Sequence, residues 1–193
     1  MQKGRIVILS GPSGSGKTTL YKKILADNFF KGKVIRSISA TTRPRRRGEV
    51  HGRDYLFLSE KDFLSKKANG FFLETQKVYQ DYYGTPWTPV QKHLVSGKHV
   101  LLCIEVKGAG VVARKEKKAL RVFVKPPSLK VLKERLSQRN TEKGADLSRR
   151  FKRAKMELGE AKAYDYCVVN DDLIECYQEL KQILIKELGL KKR

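Results

Sequence analysis

Acidic side chains are scarce in this sequence. Only 20 Asp and Glu stand against 42 Lys and Arg, which leaves a formal net charge of +22. An excess of that size describes the electric field around a protein and does not by itself name a partner. The cations are spread along the chain, with one dense knot at Arg43, Arg45, Arg46 and Arg47 and a basic tail from Lys191 to Arg193. No aromatic-interleaved RNA-binding signature and no helix-turn-helix pattern accompanies them, so a site for small polyanions is the better reading and no obligate nucleic acid is expected. Cysteine is rarer still. Cys103, Cys167 and Cys176 are three in number and form no C-x-x-C pair, which excludes a disulfide framework and a zinc cage. Long apolar runs are missing too: the longest, Ile6 to Leu9 and Val100 to Ile104, are strand-sized and far below the roughly 20 residues of a membrane span. The basic start, Met1 to Arg5, is followed by an apolar stretch that Ser10 and Gly11 end too early for a signal-peptide core. These absences lead to the expectation of a cytoplasmic protein with no membrane partner. There is no internal repeat and no low-complexity tract.

What is present is globular. Hydrophobic residues make up 40% and charged residues 32% of 193 residues, enough for one compact unit with one main core. Short β-branched runs alternate with amphipathic stretches, the pattern of an α/β protein on a parallel sheet. Arg5–Ser10, His99–Glu105, Leu120–Val124 and Tyr166–Val169 read as strands too continuously apolar to face water on one side. Thr18–Ala26 carries Leu20, Ile24 and Leu25 at helical spacing, and Ser128 is placed to cap a helix bearing Val131, Leu132 and Leu136. A last helix, Leu173–Leu188, sets Leu173, Tyr177, Leu180, Leu184 and Leu188 on one stripe. From Ser37 to about Pro89 the texture changes to Arg, Tyr, Phe and Gly, with strand-like pieces at Tyr55–Leu58 and Phe71–Glu74, as an inserted subdomain would. A second polar insertion, Arg139–Arg153, lacks a strong apolar face and reads as a flap.

The sharpest local signal is Gly11-Pro12-Ser13-Gly14-Ser15-Gly16-Lys17-Thr18, a full G-x-x-x-x-G-K-[ST] match between a predicted strand and a predicted helix. The glycines allow successive N–H groups to turn inward as an anion nest, and the helix start adds partial positive charge. Lys17 reaches the β- and γ-phosphates, and the Thr18 hydroxyl can ligate Mg²⁺ that also touches those phosphates. Residues Gly11 to Thr19 are thus the candidate ATP (or GTP) site. The loop identifies a phosphoryl donor and leaves the acceptor open.

The acceptor is addressed further on. Ser39, Thr41, Thr42, Arg43, Arg46, Gly48, Glu49, Gly52, Asp54 and Tyr55 match S-x-T-T-R-x-x-R-x-G-E-x-x-G-x-D-Y. Phe72-Leu73-Glu74, Tyr82-Tyr83-Gly84-Thr85, Pro126-Pro127-Ser128 and Val169-Asn170-Asp171-Asp172-Leu173 follow in order. With these motifs the chain resembles the guanylate kinases, P-loop kinases that phosphorylate GMP, over nearly its whole length. The resemblance implies a P-loop three-layer fold: a parallel core sheet flanked by helices, an inserted mixed α/β acceptor-binding subdomain and a small helical lid. It assigns residues 1–36, 94–134 and 161–193 to the ATP-binding core, 37–93 to the GMP-binding subdomain and 135–160 to the lid.

It also implies roles. Lys17, Arg43, Arg139 and Arg150 would be catalytic, the last two arriving on the lid. GMP (and dGMP) would be held by Ser39, Arg43, Arg46, Glu49, Tyr55, Glu74, Tyr83 and Thr85, and Mg²⁺ by Thr18 through the phosphates, with Glu105 a further candidate ligand. Arginine suits the phosphate end because its planar fork meets two oxygens at once. A carboxylate such as Glu74 can accept both N1–H and N2–H of guanine, whereas adenine would offer it a lone pair. Monomer and homodimer both remain open, as do two other readings: a different nucleoside monophosphate kinase, and a non-catalytic binding module of the same fold. The chain departs from the family pattern D-x-D-x-Q-G, reading Cys103-Ile104-Glu105-Val106-Lys107-Gly108, and Cys103 is expected to be a buried packing residue and not a nucleophile.

Overall fold

The structure is a computed structural model that describes residues 3–138 and 145–191. Five parallel strands form the main sheet, in the order β2 (Val34–Arg36), β7 (His99–Cys103), β1 (Ile6–Ser10), β8 (Leu120–Lys125) and β9 (Tyr166–Val169). In central β1 every residue is buried, because both faces are covered. Val7 and Leu9 point into a core with Leu20 and Ile24 of α1 (Lys17–Ala26) and Leu180 and Leu184 of α7 (Leu173–Glu187). Ile6 and Ile8 point the other way, onto Val90 and Leu94 of α3 (Trp87–Val95) and Ala109 and Val112 of α4 (Val106–Lys115). The period-2 alternation therefore feeds two helical layers from one strand. Each such fully buried aliphatic contributes about 1.5–3 kcal/mol.

The predicted run Tyr166–Val169 differs from the other core strands. It forms β9 at the sheet edge, where Val169 is 40% exposed, so its continuous apolarity does not mean burial on both faces. His99–Glu105 also ends early: the strand stops at Cys103, and Glu105 becomes the N-cap position of α4.

The inserted stretch builds a second, mixed sheet. Its order is β4 (Leu56–Phe57), β3 (Ala40–Thr41), β6 (Asp81–Pro86) and β5 (Phe72–Val78), backed by α2 (Glu60–Ala68). Phe63 of α2 stacks on Phe72 and Tyr82, with ring centroids 4.6 and 5.5 Å apart, and makes the small core of this unit. β5 and β6 form an antiparallel hairpin that pairs Glu74 with Thr85 and Gln76 with Tyr83.

Beyond α5 (Leu129–Ser137), which Ser128 caps by accepting from the Val131 N–H, α6 (Ala145–Gly159) packs back on it. Leu147, Phe151, Ala154 and Leu158 of α6 meet Leu132 and Leu136 of α5. The polar insertion thus has an apolar stripe after all. It completes itself only at Ala154 and Leu158, past the end of the stretch read as charged. No helix among the described residues is long and apolar enough to cross a membrane.

Candidate active site

The phosphate loop grows out of β1. Gly11 crosses so close to β8 that a Cβ there would lie 2.1 Å from the Val124 carbonyl oxygen, and only glycine fits. Gly16, at φ 91°, opens α1 in the left-handed region with no side-chain cap and no acidic residue in the first turn. The helix therefore presents uncapped N–H groups and an unopposed positive end to the cleft, the arrangement that binds phosphate. The Ser15 hydroxyl is buried within the loop without a hydrogen-bond partner, a donor awaiting an anion. Lys17 is buried too, its ammonium donating to the carbonyls of Gly11 at 2.6 Å and Pro12 at 3.0 Å, so its charge is already stored at the loop.

A residue from the far end of the chain holds this loop in place. Asn170, buried just after β9, donates from Nδ2 to the Ser15 carbonyl at 2.8 Å. That amide also occupies the space a Cβ on Gly16 would need, 1.9 Å away. The V-N-D-D-L motif contained this residue, but nothing in the sequence said what it touches. Replacing Asn170 by alanine strands the Ser15 carbonyl, at a cost of about 1–3 kcal/mol. The expected result is a Tm lowered by about 2–4 °C per kcal/mol and nucleoside triphosphate affinity reduced about tenfold, read by thermal melts and calorimetric titration.

Across a cleft of about 1190 Å³ stands the inserted sheet. That exceeds the roughly 300–1,000 Å³ of an ordinary single-ligand pocket. Arg43, Arg46, Tyr55 and Tyr83 line one part of it. Glu49 stands behind Arg43: its two carboxylate oxygens accept from Arg43 Nη2 at 2.7 and 3.0 Å, and one of them also takes the Arg46 N–H at 2.8 Å. The pair explains both charges. Arg43 holds Glu49 below the usual carboxylate range, and Glu49 keeps Arg43 firmly charged although burial opposes it. Tyr55 lies 5.6 Å under the Arg43 guanidinium and meets Tyr83 edge-on at 6.2 Å. Burial raises the Tyr55 phenol above its ordinary pKa, so it stays a donor.

Deeper in, Ser39 and Glu74 share the wall. Glu74 is only 4% exposed; Oε1 accepts from the Thr85 hydroxyl at 2.7 Å, and Oε2 has no hydrogen-bond partner. Burial pushes its pKa up to about 7, against the opposing pull of Thr85. Thr85 is itself fully buried, with its hydroxyl committed to Glu74. Cys103, expected as a buried packing residue, is half-buried and lines the same cleft, and burial raises its thiol to about 11, which leaves it neutral near pH 7.

On the α6 side, Arg150 lines the cleft, while Arg139 lies outside the described residues. Sequence reasoning missed its neighbours. Arg149, Arg150 and Arg153 of α6 gather 5.3–5.7 Å from the ring of Tyr79, which turns the β5–β6 hairpin at φ 57°. Arg153 also pairs with Glu157 at 2.8 Å and Glu105 at 3.6 Å. Thr18 and Glu105 line the cleft, but no group of three or more His, Cys, Asp or Glu capable of holding a metal occurs among the described residues. The donor set fits an ion carried in by phosphate oxygens and poorly fits a protein cage.

Residues 3–187 match the family model described as Guanylate kinase. A curated relative from Protochlamydia amoebophila, named guanylate kinase, is 46% identical over 188 residues, covering 96% of this chain and 92% of that protein. Another of the same name, from Clostridium tetani, is 40% identical over 187 residues, covering 97% and 88%. Among solved structures, guanylate kinase from Anaplasma phagocytophilum is similar with a TM-score of 0.77 at 30% identity, covering 97% of this chain and 88% of that one.

Proposed function

The chain belongs to the guanylate kinase family, an enzyme family of ATP-dependent GMP phosphorylation, and from that premise we propose how its own residues divide the work. The observation that carries the reading is Glu74: a buried carboxylate with one unpartnered oxygen, on the wall of the cleft that the phosphate loop also faces. Residues 1–36, 94–134 and 161–193 hold ATP through Gly11–Thr19. Residues 37–93 hold GMP, or dGMP, and 135–160 form a lid. Guanine donates N1–H and N2–H to Glu74, with Thr85 fixing the carboxylate and Ser39 beside the base. Arg43, Arg46, Tyr55 and Tyr83 take the monophosphate, and Glu49 aims Arg43.

Transfer needs no general base, since the attacking GMP phosphate oxygen is ionised at neutral pH. Catalysis is alignment of two anions and neutralisation of the migrating group. Lys17 leaves the Gly11 and Pro12 carbonyls for the donor phosphates, and Arg150 reaches the group from the lid. Mg²⁺, held by Thr18 through the phosphates with Glu105 nearby, would screen phosphate charge. We place the enzyme in the cytoplasm, where both nucleotides are found.

A coupled assay offering ATP with GMP, dGMP, AMP, CMP and UMP tests this. Turnover is expected with GMP and dGMP, at kcat/KM at least about a thousandfold above AMP, because an adenine ring leaves Glu74 unpaired. Turnover with none of the five would overturn the reading in favour of a binding module.

A further inference from the structure

Glu74 is not the lone buried acceptor facing the acceptor nucleotide. Two residues along β5, and so on the same face of the strand, Gln76 also lines the cleft, and its Oε1 is likewise buried without a hydrogen-bond partner. One helix pins both side chains. A Cβ on Gly108, in α4, would stand 2.7 Å from Glu74 Oε2 and 3.1 Å from Gln76 Nε2, so the two residues are packed under the same bare stretch of backbone. Their order along the hairpin matters. Glu74 pairs across the strands with Thr85, and Gln76 pairs with Tyr83, one of the side chains at the phosphate end. Gln76 therefore stands one step from the base-reading carboxylate toward the phosphate.

A guanine nucleotide laid along this line offers a matching group. The 2-amino group carries two hydrogens, one beside N1–H and the other directed toward the ribose edge. Glu74 takes the first together with N1–H. We propose that Gln76 is a second specificity-determining residue, whose amide oxygen accepts the remaining 2-amino hydrogen. A buried acceptor left unmade is costly, and a ligand donor that satisfies it gains correspondingly. Gln76 thus reads the 2-amino group alone, while Glu74 reads the N1 and N2 edge together. The inference rests on GMP being the acceptor and adds a contact to that assignment.

The test compares GMP with inosine monophosphate, which differs only in lacking the 2-amino group. Wild type, Gln76→Leu and Gln76→Glu are assayed for kcat/KM with each nucleotide and for the inhibition constant of inosine monophosphate against GMP. Leucine removes the acceptor at similar volume, and glutamate restores one. The GMP-to-inosine preference is expected to fall about tenfold in Gln76→Leu, the worth of one buried hydrogen bond, through KM for GMP. The constants for inosine monophosphate and for ATP stay within about twofold, and Gln76→Glu retains most of the preference. Equal losses for both monophosphates in Gln76→Leu, or an unchanged preference, would show a merely structural side chain and overturn the proposal. Wild-type enzyme inactive on GMP would fail differently, removing the parent assignment and this contact with it.

Discussion

Lys17→Ala is expected to lower kcat by about a thousandfold while GMP affinity stays within about twofold, on the scale of losing one preorganised charge from a phosphoryl-transfer site. The structure sharpens the expectation. The ammonium is held at the loop on the Gly11 and Pro12 carbonyls, 2.6 and 3.0 Å away, and exchanges those acceptors for the donor phosphates. The site is preorganised, and its charge need not be drawn from solvent during the reaction. Lys17 binds carbonyls of the phosphate loop and makes no contact with Glu74 or Arg43, which is why acceptor binding should survive. Stopped-flow or coupled-assay kcat alongside calorimetric GMP binding provides the check. A variant that turned over near the wild-type rate would remove Lys17 from the chemistry. One that lost GMP binding equally would make its role structural.

Glu74→Gln is expected to lower kcat/KM for GMP by about 100- to 1,000-fold with KM for ATP nearly unchanged, because an amide cannot accept two donors side by side. Its pH behaviour is a separate signature. In the free enzyme burial holds Glu74 near pKa 7. Guanine donors favour the carboxylate, so KM for GMP should rise about tenfold per pH unit below 7 and level off above it. The second ionisation of the monophosphate, near 6, adds its own limb. Glu74→Gln should keep that limb and lose the one near 7.

Stability moves the opposite way. The folded pKa lies above the ordinary 4.5, so between pH 4.5 and 7 the folded protein binds more protons than the unfolded chain. Stability therefore falls as pH rises through that window, by about 3 kcal/mol at most. Glu74→Gln should melt several degrees higher than wild type at pH 8 and lose that advantage at pH 5. A variant less stable at pH 8 would contradict the desolvated state assigned to this carboxylate.

How much of this was legible in the sequence depended on whether the signal was local. The phosphate loop was, because its glycines, lysine and threonine act through backbone and neighbours within nine residues. β1, β7 and β8 were, because strands buried on both faces must be continuously apolar. The β5–β6 hairpin was only half visible: Thr75 to Asp81 is polar, since alternate side chains there face a cleft and not a core. Thr85 was legible as a site residue, but its hydrogen bond to Glu74 was not. Glu49 was legible as a site residue, but its pairing with Arg43 was not. The partners of Asn170 and Tyr79 were silent because each meets them across the chain, where no spacing rule connects them. The α6 stripe was missed for a simpler reason: it straddles the end of the charged stretch.

The amide of Asn170 meets the Ser15 carbonyl across 155 residues of chain. A nascent polypeptide displaying only its first hundred residues possesses every letter of the phosphate-binding motif yet lacks the clasp that shapes it. The full affinity of the loop for a triphosphate therefore depends on the edge strand having docked, and bound nucleotide in turn favours that docking.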